Sequence, residues 1–237
     1  MESEVGHNKN VANFKSLYQI LEEMGPMYNP SNPSIALTAL EPIKTVLDDV
    51  IETFNTKNPL YKNAVAQRET NMAPLSKLTT KIVNSFRASG ASASDIENAE
   101  SMARVIRGMK TAKKIDPETQ STEGISTSRM SYDSRTANFD AMISFLETHA
   151  LYAPNETDLQ ILALKQFNLL QKQQNTNVNY ATNELLTART ARNGALYNET
   201  TGAVNLAPTI KNYLKSLGDA AKPYYKSAVR LKFTTKR

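Results

Sequence analysis

Two acidic residues and a histidine are the residues of this chain best suited to catalysis. Glu147 and His149 lie two positions apart near the end of a predicted helix, where a carboxylate and an imidazole could act as acid and base in a hydrolysis. Glu22 occupies the position of Glu147 in an internal repeat, and two carboxylates held across a cleft would be a second acid–base arrangement. However, a histidine at a helix C-terminus commonly interacts with the helix dipole, and acids beside an apolar stripe are commonly solvated. We therefore expect no catalytic residue and a protein that is not an enzyme.

The supply of metal-binding and nucleophilic side chains is small. The chain has no cysteine and two histidines, His7 and His149, so disulfides and thiol catalysis are excluded and soft-metal sites nearly so. It also lacks the glycine-rich phosphate loops, the serine nucleophile elbow and the HExxH zinc motif. The sequence therefore predicts neither a metal nor a cofactor.

Two arginines at matching positions of the repeat, Arg68 and Arg192, are the polar residues that stand out most. An arginine fork can bind a carboxylate or a phosphate through two hydrogen bonds, or it can tie a helix to a neighbouring loop or carbonyl. The pattern favours a structural clamp and leaves a ligand contact as the alternative.

The positive charge of the chain is concentrated near its end. The net charge is +5, but residues 208–237 contain eight basic residues and one acid, which makes this segment +7 and the remainder −2. A second basic group follows residue 103, at the matching position of the repeat. Such clusters can follow the phosphates of a nucleic acid, with Tyr224, Tyr225 and Phe233 available for stacking, or they can be ordinary solvated surface. The candidate contacts to a polyanion are Arg104, Arg107, Lys226, Arg230 and Lys232.

An internal repeat connects the elements that carry these residues. Ala-Asn-Phe occurs at 12–14 and again at 137–139, and later matches keep nearly the same offset through Arg68 and Arg192. After a predicted insertion of ten residues at 194–203, Ala-Pro at 73–74 aligns with Ala-Pro at 207–208. The ordered series of matches predicts a duplicated unit of roughly 100–110 residues.

Helical periodicity dominates both halves. Apolar residues recur at i, i+3, i+4 and i+7 from Phe14 and from Phe139, which predicts an amphipathic helix at the start of each unit. The next helix of the first half contains Pro42, where it either starts or bends. We expect separate helices over 58–72, 74–88, 158–172 and 178–193, with a turn at 175–177. We also expect a turn or small β-hairpin at 196–204, with the hairpin favoured, and either a strand or a frayed helix end at 229–233.

These elements predict a mainly α protein made of two tandem, related helical bundles with a pseudo-twofold relation. The predicted organisation is an N-terminal helical unit at 1–107, a polar connector at 108–135, and a C-terminal unit at 136–237 with the hairpin and the basic tail. We expect the bundles to pack face to face, and a loose tandem is the alternative.

The predicted function follows from these features. The sequence has no apolar run near the ~18–20 residues that cross a bilayer and no secretory signal at its start, so we expect a cytoplasmic protein without membrane contacts. The leading hypothesis is a non-enzymatic helical interaction or scaffold protein with a protein partner. The alternative is a nucleic-acid-binding protein that uses the basic clusters at the end of each unit. A hydrolase acting through Glu147 and His149 comes third, and the oligomeric state stays open.

Overall fold

The computed structural model describes residues 4–108 and 131–235, with side chains from Gly6 onward, and it confirms that the protein is mainly helical. The predicted connector lies mostly outside these ranges, at 109–130. The helices are α1 (Glu4–Met24), α2 (Leu37–Met72), α3 (Leu75–Ala88), α4 (Ala93–Arg107), α5 (Tyr132–Glu147), α6 (Ile161–Tyr197), α7 (Ala203–Ser216) and α8 (Lys222–Arg230). Four short 3-10 turns accompany them, at Gly25–Met27, Pro33–Ile35, Thr157–Leu159 and Gly218–Ala221.

The chain divides into two compact units that do not follow the predicted spans. Unit 1 combines Met1–Tyr61 with Ala181–Arg237, and unit 2 is Lys62–Tyr180. The unit boundaries fall inside α2 and α6, so each of these helices contributes to both units. With 36 residues, α2 is about 54 Å long, far longer than the 14 residues of α3 or α7, so one small bundle cannot cover all of it.

The core of unit 1 forms where α1 packs on α7 and on the beginning of α2. The apolar face predicted from Phe14 is buried, because a helix with this periodicity presents one continuous stripe to its neighbours. The main buried side chains of this core are Phe14, Leu17, Leu21, Leu40, Leu47, Ile210 and Leu214.

The core of unit 2 forms around α3, α4 and α5. Phe86 and Phe139 are completely buried, and the ring of Phe86 contacts that of Phe145 edge to face at 5.9 Å between centroids. The main buried side chains of this core are Leu75, Ile82, Phe86, Ile106, Phe139, Met142 and Leu146. The burial predicted for the face that begins at Phe139 is thus confirmed.

The segments that follow α1 and α5 are closed by the same contact. The hydroxyl of Tyr28 donates to the carbonyl of Ile35 at 2.6 Å, and the hydroxyl of Tyr152 donates to the carbonyl of Leu159 at 2.8 Å. In both segments the accepting residue ends a 3-10 turn, and the long helix starts two residues later.

Both long helices are continuous where breaks were predicted. Pro42 and Pro59 lie inside α2, so the helix does not begin at Pro42 and 58–72 is not a separate helix. The turn predicted at 175–177 is wrong, because these residues lie inside α6. Asparagine is a poor helix former, but the Asn175 amide is buried and donates to the carboxylate of Asp133 at 2.8 Å. This tertiary hydrogen bond compensates for the local preference.

No β-strand occurs within 4–108 or 131–235, and the hairpin expected at 196–204 is instead a turn between α6 and α7. The side-chain oxygen of Asn198 accepts from the amides of Thr200 and Thr201 at 3.0 Å each, which closes the turn. A Cβ at Gly202 would lie 2.5 Å from the backbone of Asn198, so only glycine fits there. The connection has five residues, against two between α2 and α3.

The helices that follow the two long helices have the same length and the same ending. α3 and α7 each have 14 residues, and each is followed by one right-handed residue and then by a left-handed glycine, Gly90 at φ +81° and Gly218 at φ +70°. A left-handed glycine is a common way to end a helix. The predicted Ala-Pro alignment differs from this register, because Pro74 precedes α3 whereas Pro208 lies inside α7.

Among the described residues, 229–233 form no strand and contain the end of α8 at Arg230, which agrees with the helix-end alternative. Residues 231–235 run without regular structure along α1. The side chain of Asn10 accepts from the Thr234 amide and donates to the Thr234 carbonyl, both at 2.8 Å, and Asn13 donates to the Lys232 carbonyl at 2.6 Å. Side-chain amides of α1 thus satisfy backbone groups that a neighbouring strand would otherwise pair.

Candidate anion-binding site

A basic pocket lies between α3 and α4 of unit 2. Ser92 caps the start of α4 by accepting from the Asp95 amide, and the left-handed Gly108 follows its last residue. Arg104 and Arg107 occupy its last turn, where positive charge interacts favourably with the helix dipole. The pocket has a volume of about 120 Å³ and is lined by Thr80, Val83, Asn84, Arg87, Glu100, Arg104 and Arg107.

Two of the three arginines in this pocket already have hydrogen-bond partners. Arg87 donates from Nε at 3.1 Å and from Nη2 at 2.6 Å to the same oxygen of Glu100, and from Nη1 to Asn84 at 3.0 Å. Arg107 donates from Nε to the Ala103 carbonyl at 3.1 Å, and its contact with Thr80 is longer, at 3.3 Å. The single acid of the pocket is therefore bound mainly by Arg87.

Arg104 differs from the other two arginines. Its Nε is shielded from solvent, and no residue in the described part of the chain accepts a hydrogen bond from it. The hydrogen bond from Arg87, with the charges of Arg87, Arg104 and Arg107, holds the pKa of Glu100 below its ordinary value. The pocket is thus lined by three cations and one acid, and Arg104 is the arginine that has no hydrogen-bond acceptor in the described part of the chain.

The candidate polyanion contacts of unit 1 lie on α8 and just beyond it. Lys226, Arg230 and Lys232 are exposed, and within the described ranges no acidic side chain pairs with any of them. Lys222 is also exposed and pairs with Asp219 at 3.2 Å. Residues 222, 226 and 230 are four apart, so they follow one face of α8.

Lys211 on α7 is already occupied within unit 1. Its Nζ donates to the Leu231 carbonyl at 2.6 Å and lies 5.0 Å from the centre of the Phe233 ring. Burial, together with the charge of Lys232, lowers the pKa of Lys211. Lys211 is the ninth residue of α7, and the ninth residue of α3 is Val83, which lines the pocket.

The two arginines aligned by the predicted repeat, Arg68 and Arg192, both stack on aromatic rings. The guanidinium carbon of Arg68 lies 3.9 Å from the centre of the Tyr132 ring in unit 2. In unit 1 the guanidinium carbon of Arg192 lies 4.5 Å from the centre of the Phe54 ring, and its Nη2 donates to Asn193 at 3.1 Å. Arg192 is 3% exposed, so its contacts are those of a residue built into a helix interface.

The acid–base candidates lie in different surroundings. Glu22 is exposed in unit 1, whereas Glu147 is exposed in unit 2 and pairs with Lys165 at 2.5 Å. Nδ1 of His149 lies 2.7 Å from the Phe145 carbonyl at the end of α5, and Nε2 lies 3.5 Å from Asp95. The Ser92 hydroxyl and His149 together lower the pKa of Asp95. The surroundings of His149 are those of a helix-end contact.

Sequence reasoning missed Arg87, which completes the basic pocket. It lies in the last turn of α3, a helix predicted at 74–88, and lines the pocket together with Glu100 and Arg104 of α4. The contact between Arg87 and Glu100 depends on how α3 and α4 pack, which residue spacing alone does not show.

Neither a metal centre nor a membrane span is found in the described part of the chain. Among residues 4–108 and 131–235, no group of three or more histidine, aspartate or glutamate side chains is arranged to hold a metal ion. None of the helices there combines the length and the apolar character that crossing a bilayer requires.

Comparisons with known proteins return no relative. No protein-family profile matches the chain, and no curated protein sequence or solved structure is significantly similar to it.

Proposed function

We propose that this is a non-enzymatic helical interaction protein, made of two related helical units, whose partner is a polyanion of the nucleic-acid class. One observation carries the proposal: Lys226, Arg230 and Lys232 are exposed, and no acid in the described ranges pairs with them. Cations without intramolecular partners remain available to phosphates, and their binding releases the counterions that surround a nucleic acid.

The spacing of the charges on α8 supports a contact with a phosphate backbone. Residues four apart in a helix lie about 6 Å apart along its axis, so Lys222, Lys226 and Arg230 form a short row. The aromatic residues expected to stack on bases are engaged elsewhere, because Tyr224, Tyr225 and Phe233 pack against the core of unit 1. We therefore propose contacts with the backbone that do not depend on base sequence.

The proposed duplication is supported by features that occur once in each half. They are the tyrosine hydroxyl bonded to a carbonyl seven residues later, the long helix that follows, and the 14-residue helix that ends at a left-handed glycine. The thirteenth residue of that last helix is basic in both halves, Arg87 in α3 and Lys215 in α7. A basic residue at the same helix position in each half is what we expect if both halves derive from one ancestral unit that bound an anion.

A protein scaffold is the second candidate function, and the exposed residues of α6 favour it. Leu162, Leu169 and Tyr180 are 69%, 67% and 68% exposed. Their separations of seven and eleven residues place them on one face of the helix. Exposed apolar side chains aligned in this way are typical of surfaces that contact other proteins.

Anisotropy of a fluorescent single-stranded oligonucleotide, titrated with the protein at several salt concentrations, tests the proposal. We expect the logarithm of the binding constant to fall steeply with the logarithm of the salt concentration. For the triple variant K226Q/R230Q/K232Q we expect weaker binding and a slope smaller by about 2, since each lost phosphate contact removes about 0.7 from the slope.

The control is the triple variant K62Q/K77Q/R189Q, which removes the same charge from exposed positions outside α8. It should retain the slope of the unchanged protein, and circular dichroism should show both variants folded, because exposed charges contribute little to stability. Absence of binding at low salt, or equal losses in the two triple variants, would remove the nucleic-acid proposal and leave the scaffold.

A further inference from the structure

The pocket between α3 and α4 has unused capacity for a negatively charged group. Three arginines and one glutamate line it, so its side chains carry a net charge of +2. Its volume of about 120 Å³ is several times the ~10–15 Å³ that a single water needs, which is room for a small group.

The hydrogen bonds within the pocket identify where such a group would bind. Arg87 is held by Glu100 and Asn84, and Arg107 is held by the carbonyl of Ala103. Arg104 lines the same pocket, and it has no hydrogen-bond acceptor among the described residues. Because its Nε is shielded from solvent, the two Nη groups are the donors that a ligand in the pocket would contact.

We infer that this pocket binds one phosphate monoester group, with Arg104 as its principal ligand and Arg107 as the second cation. A guanidinium fork matches two phosphate oxygens, and a monoester at neutral pH carries nearly two negative charges. That charge matches the net charge of +2 on the side chains of the pocket, whereas a carboxylate or an internal phosphodiester carries a single negative charge. Glu100 keeps Arg87 in place through the hydrogen bonds that it accepts from Nε and Nη2.

This site is independent of the contact proposed for α8, which belongs to unit 1. The variant K226Q/R230Q/K232Q changes no residue that lines the pocket. Either proposal can therefore fail while the other holds.

Isothermal titration calorimetry with methyl phosphate at pH 7.5 tests the inference. We expect one site per chain with a dissociation constant on the order of 1 mM or tighter. Dimethyl phosphate and acetate, which carry one charge, should bind roughly tenfold more weakly. The inference would be overturned if methyl phosphate did not bind at millimolar protein concentration. It would also be overturned if methyl phosphate bound no more tightly than dimethyl phosphate.

Three variants locate the binding. R104Q should weaken it roughly tenfold or more, because a charge-assisted hydrogen bond is lost. R189Q, the same change at an exposed residue of α6, should leave it unchanged. E100Q should tighten it about fivefold, because the one opposing charge is removed. Because the expected effect of E100Q is a gain in affinity, a misfolded variant cannot imitate it. Equal affinities of R104Q and the unchanged protein for methyl phosphate would refute the assignment.

Two oligonucleotides separate the sources of the phosphate. One carries a 5′-phosphate and the other a 5′-hydroxyl, and both have the same sequence. If the 5′-phosphate raises affinity and R104Q removes the increment, the ligand is the end of a nucleic acid. If the two bind equally while methyl phosphate still binds, the ligand is a small phosphorylated molecule.

Discussion

Two buried tyrosines illustrate how single residues stabilise this fold. Tyr28 and Tyr152 are each 6% exposed, and each donates to a carbonyl seven residues later. Burial raises the pKa of Tyr152 to about 12, with the charges of Asp158 and Glu156 adding to the effect, and burial likewise raises that of Tyr28. The neutral phenol is therefore the form that the folded protein requires.

Replacing Tyr152 with phenylalanine should lower the free energy of unfolding by about 1–2 kcal/mol, because the buried carbonyl of Leu159 loses its donor. The change should also alter the response to alkali. An unfolded tyrosine ionises near pH 10, so stability is full below pH 10 and falls between about pH 10 and 12, where only the unfolded chain loses the proton.

Urea denaturation at pH 7 and across pH 9–12 measures both effects. Y152F should lose stability less steeply than the unchanged protein above pH 10, and Y28F should behave in the same way. The control is Y180F at a residue that is 68% exposed, where no change at pH 7 is expected. A Y152F variant as stable as the unchanged protein would contradict the importance of this hydrogen bond.

At the scale of elements, α6 depends on polar groups that are buried. Gln171, Gln174 and Asn175 lie inside the structure, and the Gln171 amide donates to the Asn71 carbonyl at 2.6 Å in unit 2. Gln171, Gln174 and Asn175 therefore form the buried face of a helix, although the composition of 171–177 suggests a turn. Tertiary hydrogen bonds keep the helix continuous where local propensity is weak.

The exposed Asn177 distinguishes a helix from a turn in this segment. In a helix, N177A should be more stable than N177G by about 1 kcal/mol, with asparagine between them. A turn with a left-handed residue would reverse the order, since glycine is favoured there. Thermal denaturation followed by circular dichroism measures the three midpoints, and the exposed neighbouring change Q173A should have little effect.

At the scale of the whole molecule, chain order and compact units do not coincide. Each unit combines segments from both halves of the sequence, because α2 and α6 each pass from one unit into the other. The predicted unit 1–107 therefore holds part of each core. Phe14 and Phe86, for example, belong to different cores.

The fragment 1–107 should consequently not fold cooperatively when it is expressed alone. Most of the partners of its α1, including the helix α7, lie beyond residue 180. We expect partial helicity without a sharp thermal transition, and recovery of a cooperative transition when 108–237 is added. A sharp transition of 1–107 alone, with the intact chain as reference, would instead support two tandem domains.

The local pattern of the sequence was sufficient to predict the helical class, the buried faces that begin at Phe14 and Phe139, and the basic end of the chain. Each of these depends on residues within a few turns of one another, so periodicity and composition reveal them. The continuity of α6 through Asn175, the composition of each unit and the meeting of Arg87 with Arg104 depend on partners distant in the sequence or across a turn. Residue spacing in one sequence does not show which distant segment supplies a hydrogen-bond partner, so these features are decided by how the helices pack.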